Sequence, residues 1–179
     1  MSGKFKCDEP MREQKLAARF GTSRGPVRDA LMQLTQEGVL KYQPNKGVRV
    51  SSLLTDEERD VVVAMRLELE KYCIQKFIPI ATKEDFKNIS VLLERLKNAC
   101  EVASLPEVAE SDLALHRYWV AQASPHLEST WLGLSVRMIM KYSRLENYDQ
   151  AIEEHSRIVE ALLGRNIDKA IYYLGENIL

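Results

Sequence analysis

This sequence has few cysteines and no long apolar run, and each of these features excludes a class of protein. Among the 179 residues there are three cysteines, at widely separated positions: Cys7, Cys73 and Cys100. An odd, scattered set fits neither a disulfide framework nor a cysteine-based metal motif, which predicts a reducing, cytoplasmic environment. No apolar run approaches the roughly 20 residues that cross a bilayer, so we expect no membrane partner.

The net charge of −1 hides an asymmetry between the two ends of the chain. Residues 1–50 hold ten basic and five acidic residues, a net charge of +5, whereas the other 129 residues hold fifteen basic and twenty-one acidic residues, a net charge of −6. A basic head on an acidic body indicates that the head meets a polyanion. The alternative is an ordinary surface with uneven charge.

The first 50 residues predict a helix, a tight turn, a second helix and a two-stranded hairpin. "MREQKLAARF" has helical apolar spacing, and Gly21 after it suits a helix C-cap. Ser23 suits the N-cap of the next helix, and Pro26 is tolerated in its first turn. Gly38 ends that helix, and "VLKYQ" and "GVRVS" read as strands joined by the turn residues of "PNKG".

This order of elements is that of a winged helix-turn-helix, in which the second helix enters the major groove of DNA. Arg24 and Arg28 are four residues apart at the start of that helix and so share a face. The alternative is that they are surface charges paired with Asp29 or Glu37. We predict DNA contacts from the helix start and the hairpin tip, namely from Ser23, Arg24, Gly25, Pro26, Arg28, Asn45, Lys46 and Gly47.

Residues 16–50 resemble a known protein family. The stretch "LAARFGTSRGPVRDALMQLTQEGVLKYQPNKGVRV" is closely similar to the DNA-binding domain of GntR-family bacterial transcription regulators. The similarity extends into the preceding "SGKFKCDEPMREQKLA". The family's first helix has no counterpart before Ser2, and on that ground we expect the sequence to be trimmed at its N-terminus.

Residues 53–179 predict about six helices and no alternating β pattern. Thr55 and Glu58 have the spacing of a capping box, and another helix begins near Thr82. The later helices lie in "LPEVAESDLALHRYWVAQAS", "HLESTWLGLSVRMIMKYSRLE", "YDQAIEEHSRIVEALLGRN" and "DKAIYYLGENIL". The expected fold is therefore mainly α, with a winged helix-turn-helix domain at residues 1–52 and an all-α bundle at residues 53–179.

The bundle resembles the FadR-type effector-binding domain of the same family through "MRLELEKYC", "SDLALHRYWVAQAS" and "EEHSRIVEALLGRNIDKAIYYLGEN". Within these segments Asp112 and His116 share a helix face, and His155 lies on an otherwise apolar helix face. A carboxylate and two imidazoles in a bundle suit a divalent transition metal such as Zn, Ni or Mn. The alternative is a hydrogen-bonded polar cluster in the core.

The resemblance also implies a third histidine ligand, and the matching position here is Asn177. An amide oxygen is a poorer ligand than imidazole for zinc or nickel. We therefore expect weak metal binding, a shell completed by water or by an effector oxygen, or no metal. His126 reads as a surface residue.

Arg66 and Arg137 are our candidates for binding the carboxylate of a small effector, since arginine pairs with carboxylates bidentately. The alternatives are an ion pair between Arg66 and Glu70, and a surface position for Arg137. The sequence predicts an effector-responsive transcription regulator, of a kind that usually represses until a small carboxylic acid releases it. We further expect a homodimer on a palindromic double-stranded operator.

The runner-up interpretation is a metal-containing helical-bundle enzyme that acts on a small acid. It lacks a nucleophile–base pair, a glycine-rich phosphate loop and a cofactor motif, and it leaves the basic head unexplained. We therefore predict a protein that is not an enzyme.

Overall fold

The computed structural model describes residues 5–139 and 147–178. Within these ranges the chain forms eight helices and one two-stranded sheet. In chain order they are α1 (Glu13–Phe20), α2 (Arg24–Gln36), β1 (Leu40–Gln43), β2 (Gly47–Val50), α3 (Asp56–Ile80), α4 (Lys83–Glu101), α5 (Leu105–Ala123), α6 (Pro125–Ile139), α7 (Tyr148–Leu163) and α8 (Ile167–Ile178). The predicted fold class is confirmed. Parts of three predictions lie outside the described residues: residues 2–4 of the lead-in, residues 140–146 of the helix predicted from residue 126, and residue 179 at the end of the last predicted helix.

The helix-turn-helix forms where local sequence signals place it. α1 ends at Gly21, whose φ of 62° is left-handed and whose N–H donates to the carbonyl of Ala17. Ser23 takes the N-cap position of α2 as predicted, although its side chain makes no cap hydrogen bond. α2 ends at Gln36, and Gly38 follows with a left-handed φ of 77°. Such backbone angles favour glycine because it has no Cβ.

The wing is an antiparallel hairpin in which Leu40 lies opposite Val50 and Gln43 lies opposite Gly47. Asn45 and Gly47 have left-handed φ angles of 63° and 74°, which suits these two residue types in a tight turn. The head packs around a small core of its own, formed by Ala17, Val27, Leu31, Leu40 and Val50.

The body is a bundle of the six helices α3–α8 around a second, larger core. Complete capping boxes start α3, at Thr55 and Glu58, and α4, at Thr82 and Asp85. Each box satisfies backbone N–H groups that a helix start leaves unpaired. Among the described helices, none combines the length with the apolar character that a membrane span requires.

Head and body touch where α6 passes the end of α2. A side-chain carbon placed on Gly133 of α6 would lie 3.5 Å from the backbone oxygen of Glu37. A carbon placed on Gly38 would lie 3.2 Å from Nε of Arg137. The end of α2 is therefore packed against a helix of the body.

Candidate functional site

The start of α2 forms an exposed surface with the charge expected for contact with DNA. The side chains of Arg24 and Arg28 are 63% and 56% exposed, and Gly25 lies between them. Ser23 and Pro26 are exposed at the same end of the helix. Free N–H groups at a helix start and two arginines on one face both attract phosphate.

The hairpin tip presents a second basic position. Asn45 and Lys46 are exposed there, and Gly47 is half-buried at the start of β2. The side chain of Lys46 is available for a phosphate or for a neighbouring groove. The structure thus exposes nearly all of the residues that the sequence predicts as DNA contacts.

Both arginines of α2 are paired with Glu13, a residue that sequence reasoning missed. Nε and Nη2 of Arg28 donate to the two carboxylate oxygens of Glu13 at 2.9 and 3.0 Å, and Nη2 of Arg24 donates at 3.0 Å. The hydrogen bonds from Arg28 and Arg24 lower the pKa of Glu13 to about 2. The partner is therefore Glu13, and not Asp29 or Glu37 as the surface-charge alternative assumed.

A fully buried carboxylate, Glu70 of α3, organises the interior of the body. Its Oε1 accepts hydrogen bonds from Nε of Arg66 and Nε1 of Trp131, each at 2.7 Å, and its Oε2 lies 2.7 Å from Nδ1 of His116. Burial opposes its ionisation, but the charge of Arg66 and the hydrogen bonds from His116 and Trp131 outweigh burial and lower the pKa of Glu70 to about 2. Glu70 is therefore an anion at neutral pH.

His116 is held by Glu70 in a defined orientation. A carboxylate only accepts, so Nδ1 of His116 must carry the proton of this hydrogen bond. Its Nε2 is buried without a hydrogen-bond partner and lies 3.9 Å from Oδ1 of Asp112. Buried polar atoms are almost always satisfied, so this nitrogen is a candidate contact for a ligand.

Asp112, His116 and His155 are the three predicted metal ligands, and they form one cluster in the body. Its third member, His155, lies on α7. Its Nδ1 lies 2.7 Å from the carbonyl of Ala151 and its Nε2 lies 2.8 Å from Oδ1 of Asp112. Two acceptors call for N–H groups on both nitrogens, which is the imidazolium form. Burial opposes that charge, but the hydrogen bond and the charge of Asp112 outweigh it and raise the pKa of His155.

The three residues lie close enough together to be candidate metal ligands. One ligand atom from each of Asp112, His116 and His155 lies within 4.8 Å of the others. The Asp112 side chain is 23% exposed, so solvent reaches one side of the otherwise buried group. Carboxylate and imidazole are ligands that zinc, nickel and manganese accept, and the unpartnered Nε2 of His116 agrees with that use. To bind a metal, His155 would have to release the proton on Nε2 that it shares with Asp112.

The other predicted site residues lie in different surroundings. Nδ2 of Asn177 donates to Glu154 at 3.1 Å. Arg66 is buried and pairs with Glu70, which in turn contacts His116 of the cluster. Arg137 is exposed at the contact between head and body. The predicted i,i+4 alternative for Arg66 is therefore present in the structure.

Sequence reasoning considered Glu70 only as an ion-pair partner of Arg66, and it did not find the contacts of Glu70 with His116 and Trp131. For Glu70, the available signal was its four-residue spacing from Arg66, which places both side chains on one helix face. Trp131 is 61 residues from Glu70, so no local pattern connects them.

A separate cleft of about 800 Å³ lies between α4 and α5. Its lining includes Lys87, Val91, Arg95, Val102 and Glu107, and it does not include the three residues of the cluster. The cleft is open and carries surface charges, whereas the cluster combines burial, charge and an unpartnered nitrogen. We therefore place the candidate site at the cluster.

Comparisons with known proteins agree with this architecture. Residues 1–50 match the family model for bacterial regulatory proteins of the gntR family, and residues 61–177 match the family model for the FCD domain. The probable D-xylose utilization operon transcriptional repressor of Paenarthrobacter nicotinovorans is 30% identical over 89% of this chain and 72% of its own length. The gluconate operon transcriptional repressor of Bacillus licheniformis is 24% identical, over 99% and 76% respectively.

A solved structure shows the same fold. McbR/YncC of E. coli superposes with a TM-score of 0.82 at 21% identity, covering 98% of this chain and 86% of that one. The FCD match alone spans more than half of the chain, and it joins a head with the elements of a winged helix-turn-helix. The chain therefore belongs to the GntR family of bacterial transcription regulators, as a DNA-binding protein with an effector-binding FCD domain.

Proposed function

We propose that this protein is a repressor that holds operator DNA until a small carboxylate binds at Asp112, His116 and His155. The observation that carries the proposal is the unpartnered, buried Nε2 of His116 beside Asp112 and His155. Leaving a buried polar atom unsatisfied costs about 1–3 kcal/mol, which a metal ion carrying the carboxylate, or a hydroxyl group of the acid that donates to Nε2, would recover. The bundle buries both histidines, and this low-dielectric surrounding strengthens polar contacts to that ligand.

A divalent zinc, nickel or manganese ion suits the same three side chains. When bound, it would supply a Lewis-acidic centre for an oxygen of the effector. Glu70 keeps the proton of His116 on Nδ1, which leaves the lone pair of Nε2 free for the ligand. Asn177 is the fourth candidate ligand, and an amide at this position leaves room for an effector oxygen.

Two further groups near the cluster suit an organic acid. Nε1 of Trp119 is buried without a partner, and the Trp119 ring lies 4.6 Å from that of His116. An indole N–H donates hydrogen bonds and is therefore suited to a carboxylate or hydroxyl oxygen. Arg66 contributes positive charge from the far side of Glu70.

The relatives support a repressor of carbohydrate metabolism. Two of them are named for the gluconate operon, and gluconate is a small carboxylate. Another is named for D-xylose utilization. We therefore place sugar acids first among the effectors, in a cytoplasmic regulator that does not turn them over.

DNA recognition in this proposal uses α2 in the major groove and the hairpin beside it. Arg24 and Arg28 contact base edges, while Ser23, Gly25 and Pro26 approach the backbone. Asn45, Lys46 and Gly47 contact a neighbouring phosphate or groove. One short helix reads few base pairs, so we propose a homodimer on a palindromic operator.

Helix α6 is our candidate for the connection between the two sites. Trp131 of α6 donates to Glu70, the residue that holds His116 of the cluster. Arg137, six residues later on α6, packs against Gly38 at the end of α2. A ligand shifts DNA affinity only as far as it binds two conformations unequally. A ligand that displaces Trp131 would also displace the contact with α2.

The test combines DNA selection with effector titration. The wild-type protein selects its operator from random duplexes, and sedimentation is measured with and without that operator. Thermal-shift screening of small carboxylic acids, with and without Zn²⁺, Ni²⁺ or Mn²⁺, then identifies the ligand. We expect a dimer, a selected palindrome and its release by an acid that remains chemically unchanged. A monomer at micromolar concentration with operator would contradict the dimer, and turnover of the acid would favour the enzyme.

A further inference from the structure

We propose that Glu13 is a specificity-setting residue, which orients the guanidinium of Arg28 for reading one base pair. This inference rests on the proposed role of Arg28 in DNA recognition. The observation behind it is the pair of hydrogen bonds from Arg28 of α2 to Glu13 of α1, residues fifteen positions apart in the chain.

The geometry of the pair leaves the reading edge of Arg28 available. Glu13 accepts from Nε and Nη2, the side edge of the guanidinium. A guanidinium has five N–H groups in a fixed plane, so this contact consumes two and leaves those of the outer edge. The outer edge is the part that pairs bidentately with O6 and N7 of guanine.

Orientation has value because an arginine side chain is otherwise free to rotate. Arg28 is 56% exposed, whereas the Glu13 side chain is only 26% exposed. The less exposed carboxylate on α1 therefore holds the guanidinium in one orientation. Because the side chain is ordered before DNA binds, less conformational entropy is lost when it contacts a base.

The carboxylate also discriminates by charge. Its pairing with both Arg24 and Arg28 offsets part of the positive charge at the start of α2. That weakens attraction to any phosphate, which is the sequence-independent part of DNA binding. Glu13 therefore opposes non-specific binding while it supports base reading, and both effects raise specificity.

Three variants separate orientation from charge. Glu13→Asp keeps the charge but shortens the reach, so orientation alone is lost. Glu13→Gln keeps the size but removes the charge and one acceptor. The matched control is Asp29→Asn, which removes one negative charge from an exposed position beside Arg28.

The experiment measures affinity for the operator selected by the wild-type protein, for all single-base variants of it, and for an unrelated duplex. For Glu13→Asp and Glu13→Gln we expect at least about a fivefold loss of discrimination, at the same base positions that lose it in Arg28→Ala. Glu13→Gln should also bind the unrelated duplex more tightly than the wild type does. Asp29→Asn should share only this second effect.

Two results would overturn the inference, and they have different meanings. If Arg28→Ala loses base discrimination while both Glu13 variants keep it, the ion pair is an incidental surface contact. If Arg28→Ala itself keeps full discrimination, the proposed recognition role of Arg28 fails, and the inference fails with it. Circular dichroism melting of each variant establishes that the head is folded.

Discussion

Oε2 of Glu70 lies 2.7 Å from Nδ1 of His116, although the two residues are 46 positions apart in the chain. Through this contact, an anion on α3 sets the orientation and the proton position of a predicted metal ligand on α5. The same carboxylate accepts from Trp131 on α6. One buried side chain thus connects three helices of the body.

Glu70→Gln should destabilise the body and weaken metal binding. The amide removes the anion beside buried Arg66, and breaking a buried ion pair costs about 3 kcal/mol or more. Its NH₂ group would also oppose the N–H at Nδ1 of His116. Urea unfolding measures the first effect. Titration with Zn²⁺ or Ni²⁺ measures the second, with an expected loss of about 10- to 100-fold in affinity.

The matched control for this variant is Glu68→Gln. Glu68 lies on the same helix, its side chain is 74% exposed, and it pairs with Lys71 at the surface. Exposed pairs contribute little, so its unfolding midpoint should stay near that of the wild type. Equal destabilisation by both variants would contradict a special role for Glu70.

Arg28→Ala and Lys46→Ala should weaken DNA binding in different ways. We expect Arg28→Ala to lose about 5- to 150-fold in operator affinity, since a bidentate base contact is lost. Lys46→Ala should weaken all duplexes alike and reduce the slope of log K against log salt by about 1. Mobility shifts at several salt concentrations distinguish the two. Arg95→Ala, on an exposed part of α4, serves as control, and unchanged operator affinity in Arg28→Ala would refute its assignment.

His116→Ala should leave operator binding nearly intact and abolish its response to the effector. The residue lies in the body, away from the head, and it supplies the unpartnered Nε2 of the proposed site. Isothermal titration of effector, with operator binding followed in parallel, measures both properties. His126→Ala removes an exposed histidine of α6 and should behave as the wild type. Release of DNA by His116→Ala at the wild-type effector concentration would show that the cluster is structural.

Asn177→His should tighten metal binding if position 177 reaches the ion, because imidazole is a stronger ligand than an amide. In the structure, the amide nitrogen donates to Glu154, so the histidine must give up that contact. Metal titration compares the variant with the wild type and with Asn177→Ala. Equal affinity in all three would exclude residue 177 from the coordination shell.

Arg137→Ala distinguishes an effector contact from a mechanical one. The side chain packs against Gly38, which favours a role in the connection between body and head. We expect unchanged effector affinity by titration but a smaller effect of the effector on operator binding. Arg117→Ala, an exposed arginine on α5, is the control. A loss of effector affinity in Arg137→Ala would instead support the role that the sequence predicts for Arg137.

Local signals in the sequence determined much of the fold. The cap at Gly21, the capping box of Thr55 and Glu58 and the turn at Asn45 each depend on residues within a few positions of one another. Four-residue spacing likewise places Asp112 and His116 on one face of α5. The resemblance to GntR regulators then identified the family from contiguous motifs.

Only the tertiary structure decided which helix faces meet. Periodicity shows that a helix face is buried, but its partner depends on the packing of all the helices together. For this reason the pairing of Glu13 with Arg28, the contacts of Glu70 with His116 and Trp131, and the position of Arg137 beside the head were not readable from spacing. Such contacts join residues far apart in the chain, and a side chain's role there follows from its neighbours in space.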